Sequence, residues 1–200
     1  MATGFQYPFL SGRQIILASQ SPRRKQLLEW AEIPFTVQVV PTDESFPTAL
    51  QVTDVPVHIA RQKALAVKER LANHADTVII AADTIVVSGG DIIGKPTSSE
   101  DAFNILSRLS GTTHQVITGV VILGKEELSF SDTTTVTFHD LEADDLRFYI
   151  QNYKPYDKAG AYGIQEWIGV TGIKSIGGDF YNVMGLPVSR VVQALKSGKV

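Results

Sequence analysis

This sequence predicts an α/β or α+β fold built on a mixed sheet, and three observations carry the prediction. Short apolar runs alternate with helical patterns from residue 14 to about residue 197. Two pairs of those runs are joined by short turn sequences, Ser88-Gly89-Gly90-Asp91 and Gly124-Lys125-Glu126-Glu127, which place antiparallel hairpins in the sheet. The first run leads through a tight turn straight into a helix start, so the opening unit is strand, turn, helix.

Gln14 to Ala18 (QIILA) is apolar throughout and reads as a buried strand. Ser21 is a good N-cap, because its hydroxyl can take an unpaired backbone N–H, and Pro22 suits the first helical position. Leu27, Leu28 and Ala31 supply the apolar stripe, and Ile33-Pro34 ends the helix. Phe35 to Val40 reads as a second strand, followed by a polar loop that carries Asp43 and Glu44. From Val57 to about Leu71 the spacing of Ile59, Ala60, Ala64, Val67 and Leu71 is helical, with Arg61, Lys63, Lys68 and Arg70 on other faces. Thr77 to Ala82 is an apolar strand that delivers Asp83-Thr84, and Ile85 to Val87 continues it towards the Gly89-Gly90 turn. Ser98 or Ser99 caps a helix that runs through Leu109 and stops at Gly111. His114 to Leu123 and Leu128 to Phe138 are strands, the alternation in TTTVTF giving the second one a solvated face. Asp140 or Glu142 opens a helix through Tyr153, Asp157 to Gly178 has no clear period, and Leu186-Pro187 starts a last helix ending near Ser197-Gly198. No repeat or low-complexity linker marks a boundary, so residues 1–200 read as a single domain.

Composition narrows the function classes. With 200 residues and a net charge of −3 the chain can bury one sizeable core but offers no basic run to follow a nucleic-acid backbone, so stable nucleic-acid binding is not expected. The absence of cysteine removes disulfides, thiolate nucleophiles and cysteine-ligated zinc together and fits a cytoplasmic location. The stretch MATGFQYPFLSGRQIILAS has no charged segment ahead of an apolar one, and no run approaches the roughly 20 apolar residues of a membrane span. Neither export nor membrane insertion is expected.

The most informative segment is Ser19 to Arg24. A strand running into a helix N-terminus presents unpaired N–H groups and a positive dipole end, and here two arginines and two serines add donors suited to phosphate oxygens. Ser19, Ser21, Arg23 and Arg24 are therefore candidate triphosphate contacts. Asp83 ends an apolar strand, where carboxylates often face a ligand crevice. Asp43 and Glu44 can supply oxygen ligands to Mg²⁺, although an acidic pair in a polar loop is ordinarily just solvated. Lys63, Lys95 and Lys158 are candidate phosphate contacts. Gly89 to Lys95 matches a P-loop up to its last place, but Pro96 stands where a Ser or Thr hydroxyl would hold Mg²⁺, and the glycines look like a hairpin turn. ATPase or kinase chemistry of that kind is rejected. Histidines 58, 74, 114 and 139 are scattered without zinc-hydrolase spacing, and no Gly-x-Ser-x-Gly elbow suggests an esterase. Tyr156, Tyr162 and Trp167 can line a base pocket, though core packing is the commoner fate of such residues.

Six ordered blocks closely resemble the Maf family of nucleotide pyrophosphatases: Leu17 to Arg24 (LASQSPRR), Ala82-Asp83-Thr84, Gly94-Lys95-Pro96, Leu109 to His114 (LSGTTH), Asp157 to Gln165 (DKAGAYGIQ) and Gly185-Leu186-Pro187. They span residues from about 15 to 195. The resemblance implies an α/β fold with a mixed twisted sheet and flanking helices, shared with inosine triphosphate pyrophosphatases, and two lobes around a cleft. It implies a divalent cation, Mg²⁺ or Mn²⁺, and release of a nucleoside monophosphate and pyrophosphate. It makes Asp83 the proton acceptor, with Glu44, Lys63 and Lys95 in the same cleft and Glu44 and Asp83 on the metal. Subgroups differ at three positions that here hold Arg23, Thr84 and Gln165, the pattern of the dTTP/UTP pyrophosphatases. A glutamine amide offers a donor and an acceptor that can match N3–H and a carbonyl of uracil or thymine. A homodimer is expected from the resemblance alone. The rivals are a pyrophosphatase for a non-canonical purine or methylated nucleotide, and a nucleotide-binding regulator of cell division without turnover.

Overall fold

The computed structural model describes residues 7–71 and 76–200; His74 and the first six residues of the N-terminal stretch read above lie outside the described residues. The strands are β1 Gln14–Leu17, β2 Thr36–Val37, β3 Thr77–Ser88, β4 Asp91–Ile93, β5 Thr113–Leu123, β6 Glu127–Phe138 and β7 Ile173–Gly177. The helices are α1 Pro22–Trp30, α2 Val55–Lys68, α3 Ser99–Leu109, α4 Ala143–Tyr153, α5 Trp167–Gly172, α6 Phe180–Met184 and α7 Val188–Lys196. Hydrogen bonding orders the sheet β2-β1-β3-β5-β6-β7, with β4 also on β3. β1 is parallel to β2 and β3, whereas β4 and β7 are antiparallel to β3 and β6, so the sheet is mixed and the fold is α/β. Among the described residues no helix is long and apolar enough to cross a membrane.

Two local expectations need correction. The strand expected from Phe35 to Val40 is reduced to Thr36–Val37, because both paired residues are exposed at the sheet edge and only β1 offers them a ladder. The Asp157 to Gly178 region, which shows no period in the sequence, contains α5 and β7; four of the five residues of β7 are exposed, so no apolar alternation announces that strand.

The chain forms two compact units, one of Met1–Asp83, Thr118–Asp132 and Gly185–Val200, the other of Thr84–Ile117 and Thr133–Met184. In the first, α2 lies on the sheet through a cluster of Ile16, Ala18, Ala60, Ala64, Val67, Ile79, Ala81, Val121 and Leu123. Alanines on the helix face let its backbone come close. Gly119 has the same effect from the sheet side, since a Cβ there would sit 2.2 Å from Val57 N and 2.3 Å from Pro56 C. The close seating of α2 fixes where Lys63, on its flank, can reach.

In the second unit Gly89 and Gly90 form a two-residue hairpin turn with φ of +62° and +91°, which only glycine adopts without cost, and the register closes at Ser88 opposite Asp91. The glycines of the P-loop-like stretch are thus a hairpin, as the sequence indicates. Ser98 caps α3 by accepting from the Asp101 N–H at 3.1 Å. Gly111, with φ of +66°, ends that helix, and a Cβ there would meet Asp140 Oδ1 at 2.2 Å.

His114 is 2% exposed, with its ring against Phe138 and Tyr162 and Nε2 2.8 Å from the Tyr162 hydroxyl. Burial pushes its pKa down from 6.5 to about 4. The folded value is the lower one, so the native state binds fewer protons than the unfolded chain between these limits. The corresponding stability is fully present above pH 6.5 and is lost as pH falls through about 4, by up to about 3 kcal/mol. Urea midpoints measured across that window should fall with pH, and a His114→Gln variant should show a flatter slope; an unchanged slope would mean other groups dominate acid unfolding.

Candidate active site

The site grows from the point where the parallel pairing of β1 with β3 stops. β1 and β3 run in register to Leu17 opposite Ile80, and the Ala18 N–H donates to the Ile80 carbonyl at 2.8 Å. Just beyond this point β1 gives way to the Ser19 turn, whereas β3 runs on through Asp83 to Ser88, so Asp83 lies within the strand and not, as the apolar run alone suggests, at its end. The carboxyl end of a parallel strand, here β1, is where open α/β sheets place ligands.

Ser19 is 6% exposed and its Oγ accepts from the Ser21 N–H at 3.2 Å and from Arg24 Nη1 at 3.1 Å. Ser21 is the N-cap of α1, its Oγ accepting from the Arg24 N–H at 3.5 Å. Arg24 is 9% exposed and its Nε donates to the Gly185 carbonyl at 2.7 Å. The second arginine of the motif therefore braces the turn against the segment before α7, while Arg23 is half-buried at the first turn of α1. Burial pulls the Arg24 guanidinium below its ordinary pKa; the Asp83 carboxylate opposes this, Arg23 reinforces it, and Glu44 opposes it more weakly. Arg24 and Asp83 thus share one electrostatic environment.

Lys63 projects from α2 into the same region. Its Nζ lies 2.7 Å from Asp83 Oδ1 and 2.8 Å from Glu44 Oε1, with side-chain exposures of 17% for Lys63, 14% for Asp83 and 51% for Glu44. One ammonium thus draws together a carboxylate from within β3 and another from the loop after β2. Asp43, the other half of the acidic pair, turns back on its own loop, accepting from the Ser45 hydroxyl at 2.8 Å and the Ser45 N–H at 2.9 Å. Those two bonds, the hydroxyl first, hold Asp43 below the usual carboxylate pKa.

The remaining candidates belong to the second unit. Thr84 continues β3 directly after Asp83 and is half-buried. Lys95 is exposed on the bend after β4, and that bend is fastened to the Lys158 region by the Gly160 N–H donating to the Gly94 carbonyl at 3.1 Å. Gly160 has φ of +71°, and a Cβ there would press on Val86 at 2.9 Å. Gln165 is half-buried, and its Oε1 is buried without a hydrogen-bond partner. Lys158 is not placed as a phosphate contact: it is 7% exposed and paired with Asp157 at 2.8 Å and Glu166 at 3.3 Å. Of the aromatics, Tyr162 is core, Trp167 packs edge-on against Phe148 at 4.9 Å, and Tyr156 is 40% exposed. Sequence reasoning missed Tyr149 and Glu166, which flank this region as an ordinary helix residue and a loop acid.

Fold and site together define an α/β protein with a donor-rich helix start next to an ammonium-bridged pair of carboxylates. The chain belongs to the Maf family: the family described as "Maf-like protein" matches residues 14–198. A Cytophaga hutchinsonii protein named dTTP/UTP pyrophosphatase is 52% identical over 188 residues, 94% of this chain and 85% of that protein. One of the same name from Parabacteroides distasonis is 48% identical over 185 residues, 92% of this chain and 95% of that protein. Among solved structures, the Staphylococcus aureus Ham1 protein superposes with a TM-score of 0.50 at 17% identity, covering 94% of this chain and all of that one, which shows a shared fold.

Proposed function

We propose that this protein is a nucleoside triphosphate pyrophosphatase that hydrolyses dTTP and UTP to the monophosphate and pyrophosphate, removing unwanted or modified pyrimidine nucleotides. The observation that carries the reading is the Lys63 ammonium holding Asp83 and Glu44 together beside the Ser19 to Arg24 turn, in a chain whose relatives at 52% and 48% identity are named for that activity.

In this reading the triphosphate lies on the N-terminus of α1, where backbone N–H groups, Ser19, Ser21 and the arginines offer donors. Asp83 orients a water and accepts its proton as the water oxygen bonds to the α-phosphorus; the bond from that phosphorus to the bridging oxygen breaks, and pyrophosphate leaves with its electron pair. Lys63, donating to Asp83 Oδ1 at 2.7 Å, holds that carboxylate in place and, with Lys95, offsets charge growing on the leaving group. Arg23, Thr84 and Gln165 are assigned to nucleobase choice.

Glu44 and Asp83 fit a divalent ion, since both are hard oxygen donors and already converge on one cation, the Lys63 ammonium. Among the described residues no cluster of three or more His, Asp or Glu is assembled for a metal. Glu44 and Asp83 are the residues that would hold the ion. When bound, Mg²⁺ or Mn²⁺ would supply neutralisation of phosphate charge. The chain acts in this reading in the cytoplasm, without nucleic acid or membrane, and as a homodimer.

The test is a panel of UTP, dTTP, CTP, ITP and 7-methyl-GTP assayed for pyrophosphate release with and without chelator. Strongest release from UTP and dTTP, abolished by chelator, is expected. Preference for ITP or 7-methyl-GTP would replace the substrate assignment, and tight UTP binding without UMP would favour a regulator. Gln165→Glu should lower kcat/KM for UTP and dTTP by about tenfold or more, as loss of one matched polar contact does. Equal losses on every nucleotide would make Gln165 structural.

A further inference from the structure

Gln165 sits in a short turn held by Tyr149, Glu166 and the buried Lys158. The Glu166 N–H donates to the Gly163 carbonyl at 3.0 Å, closing residues 163 to 166 on themselves. Tyr149, a fully buried residue of α4, reaches this turn twice: its hydroxyl donates to Glu166 Oε2, and its oxygen accepts from the Gly163 N–H at 3.0 Å. The other carboxylate oxygen of Glu166 lies 3.3 Å from the ammonium of Lys158, which is itself buried and held by Asp157 at 2.8 Å. Gly163 completes the clasp by absence of a side chain, since a Cβ there would lie 2.7 Å from the carboxylate carbon of Glu166. Burial first, then the bond to Glu166, raises the Tyr149 hydroxyl above its ordinary pKa.

Within the turn Ile164 is 3% exposed and acts as an apolar anchor. Gln165 is left with its side chain directed by the backbone on either side and with an amide oxygen that is buried and unpaired. Burying an unpaired acceptor costs about 1–3 kcal/mol, and a folded protein tolerates it where a ligand completes the bond. An acceptor so placed suits N3–H of uracil or thymine and opposes the bare N3 of cytosine.

We infer that Tyr149, Glu166 and Lys158 are positioning residues for nucleobase selection, fixing the Gln165 acceptor towards a donor at N3 of the pyrimidine without touching the nucleotide themselves. The inference rests on Gln165 selecting the base, as proposed above. It goes beyond that reading by making selectivity depend on the Lys158–Glu166 ion pair and a phenol on α4.

Tyr149→Phe removes one hydroxyl and nothing else. The kcat/KM ratio of UTP over CTP should fall about tenfold, mainly through a higher KM for UTP, while kcat at saturation changes little, as expected for one misaligned hydrogen bond. Glu166→Gln, at a side chain 19% exposed, should lower the same ratio in part and serves if the phenylalanine variant does not fold. The decisive measurement is the double variant with Gln165→Glu. If the network acts through Gln165, Tyr149→Phe, or Glu166→Gln in its place, should no longer alter the UTP to CTP ratio in that background. Effects that multiply independently, or a uniform loss of kcat on both nucleotides, would overturn the inference. A Gln165→Glu single variant with unchanged selectivity would instead remove the reading of Gln165 on which it rests.

Discussion

An Asp83→Asn variant is expected to fold and to lose UTP hydrolysis by about 10²-fold or more, the usual scale of a lost general base. Retention of the fold follows from the geometry. Asparagine keeps an oxygen where Lys63 now donates at 2.7 Å, and the Lys63 to Glu44 pair at 2.8 Å remains. The substitution removes the proton-accepting charge and a favourable field on the buried Arg24, so only a modest change in melting temperature should accompany the loss of turnover. UMP formation at saturating UTP with Mg²⁺ or Mn²⁺ is the measurement. Near-normal turnover would show that another group readies the water, and Glu44, paired with the same ammonium, would be the next to substitute.

Where the sequence is informative, the reason is local. Gln14 to Ala18 followed by Ser21-Pro22 predicts strand, turn and capped helix because each signal acts within a few residues, and β1 and α1 form there. Gly89-Gly90 and Gly111 are legible for the same reason, each demanding a positive φ that the chain around it confirms. The site is less legible because its bonds join distant residues. Nothing near Arg24 reveals that its Nε is taken by the carbonyl of Gly185. Nothing near Lys158 distinguishes a buried ion pair from a phosphate contact, since the partner Glu166 lies across an aperiodic stretch. Lys63 and Glu44 likewise come together only because α2 is seated on alanines and on Gly119. Side-chain identity announces what a residue can hold; the packing of the elements decides what it does hold.

Arg24→Lys should show that difference in a measurable form. The guanidinium uses two separate N–H groups, Nε to the Gly185 carbonyl at 2.7 Å and Nη1 to Ser19 Oγ at 3.1 Å, in a position 9% exposed. Lysine keeps the positive charge but is a point donor on a flexible stem, and it cannot span both acceptors. A buried carbonyl or hydroxyl is then left unsatisfied, and the expected loss is about 2–4 kcal/mol of stability, seen as a lower urea midpoint with an unchanged slope. Hydrolysis should fall as well, because Ser19 and the segment before α7 are no longer braced. Arg23→Lys is the comparison: that side chain is only half-buried, so activity should drop with little shift in midpoint. If Arg24→Lys proves as stable as the parent while activity alone is lost, Arg24 is a phosphate contact first and its brace to Gly185 is incidental.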